Sequence, residues 1–150
     1  MGLFTSFDIA ASGLTAQRYR MDIISENVAN ASTTRTTDGT PYRRKVVTFE
    51  AKDYGQTPFG TYLSKALGQS HGGGGVRVAA TLEDTWTEMT KAYDPEHPDA
   101  DENGYVWYPN VNIVTEMTNL IDASRAYEAN TTAFNATKDM ALNGLNIGKS

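Results

Sequence analysis

The stretch LFTSFDIAASGLTAQRYRMDIISENVA, residues 3–29, decides the fold. Phe7, Leu14, Met21 and Val28 recur at every seventh position. Leu3, Ala10, Ile24 and Ala31 fill the intermediate d-type positions, with Gln17 as the single polar exception. That spacing predicts a helix with a narrow coiled-coil seam. At about 1.5 Å per residue the helix is roughly 40 Å long, longer than the diameter of any domain this chain builds alone. Gly13 costs about 1 kcal/mol relative to alanine in such a helix, and the usual return is close approach of a neighbouring backbone. The helix is predicted to stop at Asn27-Val28-Ala29-Asn30, because asparagine competes for local backbone hydrogen bonds and the following STTRTTDGT is loop chemistry.

The far end mirrors this pattern. Ile113, Leu120, Tyr127, Phe134 and Ala141 are spaced by sevens, Met117, Ser124 and Leu145 lie among the intervening positions, and Ala126, Ala133, Met140 and Ile147 form a second stripe. Asn112 is a natural N-cap after Pro109, Glu116 sits where the helix dipole favours an anion, and Gly144 to Gly148 is predicted to fray the end. Two stripes imply more than one helical neighbour. Aromatic residues at this spacing read as seam packing and not as a ligand-stacking site.

Between the helices the period changes to two. Val47, Phe49 and Ala51 share one strand face, and Val76, Val78, Ala80 and Leu82 share another. Thr87 to Tyr93 and Gly104 to Tyr108 suggest a pair around the loop DPEHPDADENG, with Asn103-Gly104 at the bend. This predicts a small antiparallel sheet, with Tyr54 to Ser70 and Gly72 to Gly75 as connections and a short helix near Tyr62 to Leu67. The predicted class is α+β. Residues 1–32 and 110–150 form a terminal helical part, paired as a coiled-coil-like hairpin, and residues 33–109 a small β-rich part. A two-helix hairpin leaves apolar surface uncovered. Copies that cover it head to tail make filaments or tubes when the rotation does not close.

Composition narrows the functional classes. At 150 residues the chain has material for about one domain, and with no cysteine it has no disulfide framework and no thiolate metal site. No apolar run approaches the roughly 20 residues that span a bilayer. The N-terminus lacks the basic region of a secretory signal. Met1-Gly2 with Ser6 fits a short myristoylation pattern, but the same segment carries the helical stripe. The net charge of −5 is equal to the contribution of Asp94, Glu96, Asp99, Asp101 and Glu102, so acidity is a property of one loop. Arg43-Arg44-Lys45 is the one concentrated basic run, too short for a nucleic-acid surface.

No catalytic constellation survives inspection. Gly68-Gln69-Ser70-His71-Gly72 matches the nucleophile-elbow spacing, but four glycines follow where a helix is needed. Asp99, Asp101, Asn103 and Gly104 copy the first half of a calcium loop, yet the twelfth position is Asn110 and prolines replace the flanking helices. His71 and His97 lack ligand partners at metal spacing. The sequons at Asn30, Asn130 and Asn135 fall in or at the ends of helices. The reading is of a non-enzymatic chain with no cofactor and no metal.

Ser12 to Arg44, SGLTAQRYRMDIISENVANASTTRTTDGTPYRR, resembles the N-terminal signature of the bacterial flagellar rod and hook proteins, on Ser12, Gly13, Leu14, Met21, Asn27, Ala29, Asn30, Gly39, Tyr42 and Arg43. The stretch NVNIVTEMTNLIDASRAYEAN resembles the matching C-terminal signature, on Asn110, Val111, Asn112, Glu116, Met117, Ala123, Arg125, Tyr127, Ala129 and Asn130. The loop YDPEHPDADENGYVWYPNVN and the short length point to the proximal part of the rod, since hook and distal-rod members are considerably longer.

The resemblance implies a structural subunit that leaves the cytoplasm through the flagellar export apparatus without a cleavable signal. It implies assembly in the periplasm, with copies of itself and other rod subunits, into the hollow shaft around the export channel. Phe7, Leu14, Met21, Ile24, Val28, Met117, Leu120, Tyr127, Phe134 and Met140 are then the expected assembly contacts. Asn27, Asn30 and Tyr42 are expected to set the bend from helix to sheet, and Glu116 and Arg125 to make polar contacts. The rival reading is a coiled-coil module that forms a closed bundle with an unrelated partner.

Overall fold

The computed structural model describes residues 3–52, 66 and 74–148. In chain order the elements are α1 (Leu3–Ala29), β1 (Lys45–Ala51), β2 (Val76–Glu83), β3 (Thr90–Tyr93), β4 (Tyr105–Tyr108) and α2 (Ile113–Ile147). The class is α+β, with a long helix at each end of an antiparallel β region. Outside the described residues lie the Met1-Gly2 start, the side chain of Leu3, the segment expected as a short helix apart from residue 66, and the Gly68–Gly72 motif with Ser70 and His71.

Two expectations need correction. The strands do not form one sheet: β1 pairs with β2 and β3 with β4, in two separate ribbons. Along β1 and β2 half-buried and exposed positions largely alternate, so the first ribbon turns one face away from solvent. The C-terminal helix does not fray at Gly144 but continues to Ile147, since a single glycine costs a helix only about 1 kcal/mol.

The ends of both helices are chemically specified. Asn30 closes α1: its Nδ2 donates to Glu26 O at 2.9 Å and its Oδ1 accepts from Thr33 Oγ1 at 3.1 Å. Asn112 caps α2 as its sequence predicts, accepting the Thr115 N–H at 3.1 Å. Thr118, Thr131, Thr132 and Thr137 each donate the hydroxyl to a carbonyl four residues back, so these poor helix formers carry no unpaired hydroxyl.

The chain divides into two compact units, Met1–Gln17 with Phe49–Ala79 and Ala126–Ser150, and Arg18–Thr48 with Ala80–Arg125. Both helices and both strands of the first ribbon contribute to each.

In the first unit α1 lies on α2. Phe7 meets Phe134 edge to face with ring centroids 5.1 Å apart. A Cβ on Gly13 would sit 2.8 Å from Asn130 Oδ1, so the close neighbour that glycine admits is a side chain and not a backbone. Ala10 and Ala16 are buried beside it. Ser12 holds the start of β2, accepting the Val76 N–H at 3.0 Å while donating to Ile9 O at 2.7 Å. Gly75 lies against Ser12 at φ +104°, where a side chain would be both strained and in collision.

In the second unit β3 and β4 run antiparallel, with Thr90 opposite Tyr108 and Tyr93 opposite Tyr105. The turn before β4 uses Gly104 at φ +77°. Asp101 organises it by accepting the N–H groups of Asn103 and Tyr105, both at 2.9 Å. Those hydrogen bonds, that to Tyr105 first, hold the Asp101 carboxyl below the usual carboxylate range. Asp99 pairs with Thr34 and Arg35. The half calcium loop of the sequence is thus a hydrogen-bonded hairpin bend.

Candidate assembly interface

The second unit is tied by a polar knot where α1, β1 and α2 meet. Asn27 is fully buried, and its amide uses every valence. Nδ2 donates to Lys45 O at 2.9 Å and to Glu116 Oε2 at 3.0 Å, while Oδ1 accepts the Lys45 N–H and the Tyr42 hydroxyl, each at 2.9 Å. Glu116, 1% exposed, receives the Arg44 guanidinium at 2.7 Å and 2.8 Å on Oε1. Arg44 also reaches Asp84 at 3.6 Å, and its N–H donates to Asn110 Oδ1 at 2.9 Å. Asn110 in turn donates to Asp84 O and Thr87 O.

Electrostatics follow from this packing. Burial, reinforced by the negative charges of Glu26, Glu116 and Glu83, pushes the Tyr42 hydroxyl up to about 12. Tyr42 therefore stays a neutral donor to Asn27. Asp84 accepts the Thr87 hydroxyl at 2.7 Å and the N–H groups of Thr87 and Trp86, and these bonds, with Arg44 alongside, hold its carboxyl below the ordinary range despite burial.

Of the joint residues, the structure brings Asn27 and Tyr42 into one knot, while Asn30 terminates α1 separately. Glu116 joins the knot inside the chain, whereas Arg125 lies exposed and makes no ion pair with a described residue. Sequence reasoning missed Arg44, Asp84 and Asn110 as a hub. The available signal was the basic run: Arg44 pairs with Glu116 and Asp84, Lys45 with Glu26, and Arg43 alone has no ion pair among the described residues.

The helix faces divide by residue size. On α1 the buried positions are Ala10, Gly13, Ala16, Ile24 and Asn27; on α2 they are Glu116, Ala123 and Thr137. The latter keep seven-residue spacing, with half-buried Asn130 in the series, so apart from Ile24 the buried helix positions are small or polar. Phe7, Leu14, Met21, Val28, Leu120, Tyr127 and Phe134 flank it and are half-buried. Met117 and Met140 stand out in solvent at 55% and 62% exposure, in company with Val114, Ile121 and Leu145. Gln17 Oε1 is buried without a hydrogen-bond partner among the described residues. No helix among the described residues is long and apolar enough to cross a membrane.

A pair of long helices with an outward apolar stripe, joined through a β region, defines a class of assembling subunit, and two family models identify it. One, described as "Flagella basal body rod protein", matches residues 7–35, and one, described as "Flagellar basal body rod FlgEFG protein C-terminal", matches residues 102–147. The chain belongs to the flagellar basal-body rod proteins. Relatives named "Flagellar basal-body rod protein FlgC" are 48% identical in Borreliella burgdorferi, over 98% of both chains, and 44% identical in Bacillus subtilis, over 99% of this chain and 100% of the relative. The same name belongs to a Salmonella typhimurium relative 41% identical over 99% of this chain and 100% of its own. Within the rod proteins, the chain belongs to the FlgC family.

Proposed function

We propose that this chain is a structural, non-catalytic subunit of the proximal rod of the bacterial flagellar basal body. It assembles with copies of itself and with other rod subunits into the hollow shaft that transmits torque and surrounds the export channel, and so serves motility. Residues 1–32 and 110–150 are the assembly part, and residues 33–109 the outward β part. The chain reaches the periplasm through the flagellar export apparatus without a cleavable signal peptide. It needs no cofactor, and neither nucleic acid nor direct membrane insertion enters its work.

The observation that carries this reading is the division of the helix faces. Apart from Ile24 the buried helix positions are small or polar, while Met117, Met140, Val114 and Ile121 remain more than half exposed. Large apolar side chains at regular spacing in solvent mark a surface that is buried elsewhere. Each contributes on the order of 1.5–3 kcal/mol when a neighbour covers it. Membership of the FlgC family supports rod components as those neighbours.

The test is deletion of the gene in a motile host, followed by imaging of isolated basal bodies. Cells without the chain are expected to lack a completed rod and to stop swimming, with both restored by the full chain. Deleted cells that swim with intact rods would reject the proposal.

A further inference from the structure

Away from the helix seam, the second unit carries an aromatic cleft. Arg43, Trp86, Glu88, Met89 and Trp107 line an open hollow of about 470 Å³. Trp86 is 83% exposed and Trp107 43%. Lys91 supports the Trp107 ring, its Nζ 4.9 Å from the ring centroid. Arg43 and Glu88 have no ion pair with a described residue, whereas Arg44 and Lys45, which follow Arg43 in the chain, are both paired. An indole this exposed, beside a cation and an anion that have no ion pair among the described residues, is costly unless something covers it.

The same unit carries a ridge of matching chemistry on the first turns of α2. Val114, Met117 and Ile121 follow one another at helical spacing, at 74%, 55% and 53% exposure. Asp122 and Arg125, exposed and without an ion pair among the described residues, flank the ridge. Cleft and ridge each combine an apolar centre with one cation and one anion at the rim.

We propose that the cleft receives the α2 ridge of a second copy of the chain. Val114, Met117 and Ile121 pack on Trp86, Met89 and Trp107, Arg43 faces Asp122, and Glu88 faces Arg125. Aromatic anchors surrounded by paired rim charges are the arrangement expected of a specific interface. Because donor and receiver are different patches, the contact is heterologous and propagates from copy to copy. The inference rests on the assembly reading and names the contact that links one copy to the next.

The absence of cysteine gives a clean background for the test. Two full-length chains with different epitope tags, one with Glu88→Cys and one with Thr118→Cys, are co-expressed as the sole copies in a motile host and oxidised. The expected product is a mixed disulfide dimer carrying both tags, well above either homodimer. Swimming cells that give no mixed dimer, or only adducts with a different protein, overturn the inference and leave the rod reading standing. A second measurement holds even where the cysteine variants do not swim. By sedimentation of purified chain, Arg43→Glu and Asp122→Arg each weaken self-association several-fold, and the double reversal restores it. A double variant as weak as the singles, or a wild-type chain that never associates, overturns the inference. A deletion strain that swims normally removes the assembly reading instead.

Discussion

Glu116 shows how a single side chain ties distant parts of the sequence together. Its carboxylate is almost wholly out of solvent and is balanced by Arg44 and by the Asn27 amide. Glu116→Ala leaves Arg44, itself 26% exposed, with only the more distant Asp84, and breaking such a pair costs about 3 kcal/mol. Urea unfolding followed by tryptophan fluorescence reads that cost as a lower midpoint at unchanged slope. Asp84 makes the same unit sensitive to acid. Its folded-state pKa lies below the ordinary 3.8, so its contribution is fully present above that value and is lost as the pH falls through the depressed one. In Asp84→Asn the stability between about pH 5 and pH 2 should fall less steeply with acid than in the wild type. At neutral pH the variant should be the less stable of the two.

Among the elements, the helix pair makes the sharpest claim, at Gly13. Alanine there gains about 1 kcal/mol of helix propensity but brings a methyl to 2.8 Å from Asn130 Oδ1. Gly13→Ala alone should therefore be close to neutral. Gly13→Ala with Asn130→Ala should melt higher than either single variant, a favourable coupling that thermal unfolding of the four chains measures. The seven-residue period was legible in the sequence, and so were the three helix boundaries near Leu3, Ala29 and Asn112. Apolar spacing alone did not reveal which face closes the pair. Ala10, Gly13, Ala123 and Thr137 are buried small residues, and a hydrophobicity pattern ranks such residues below Leu14 or Leu120. The knot was harder still to foresee, because Arg44, Asp84 and Asn110 are brought together only by folding across long separations. The two ribbons looked like one sheet because strand alternation carries no information on which strand pairs with which.

Several large apolar side chains of α2 stand in solvent, Met117 and Ile121 among them, and under the proposed function that arrangement separates folding from assembly. Met117 and Ile121 are the clearest probes, since both are more than half exposed on α2 and neither contributes to the buried line of Glu116 and Ala123. Glutamate is as good a helix former as methionine and better than isoleucine, so Met117→Glu with Ile121→Glu does not weaken the helix by propensity. It does set two charges in any apolar contact, each costly to desolvate without a partner. The purified variant is expected to keep the wild-type far-UV circular dichroism and melting temperature, while its sedimentation no longer depends on concentration. Cells carrying it as the sole copy are expected not to swim. A variant that melts well below the wild type would move these residues into the fold. One that folds, associates and supports swimming normally would place the assembly contact on some other face of the chain.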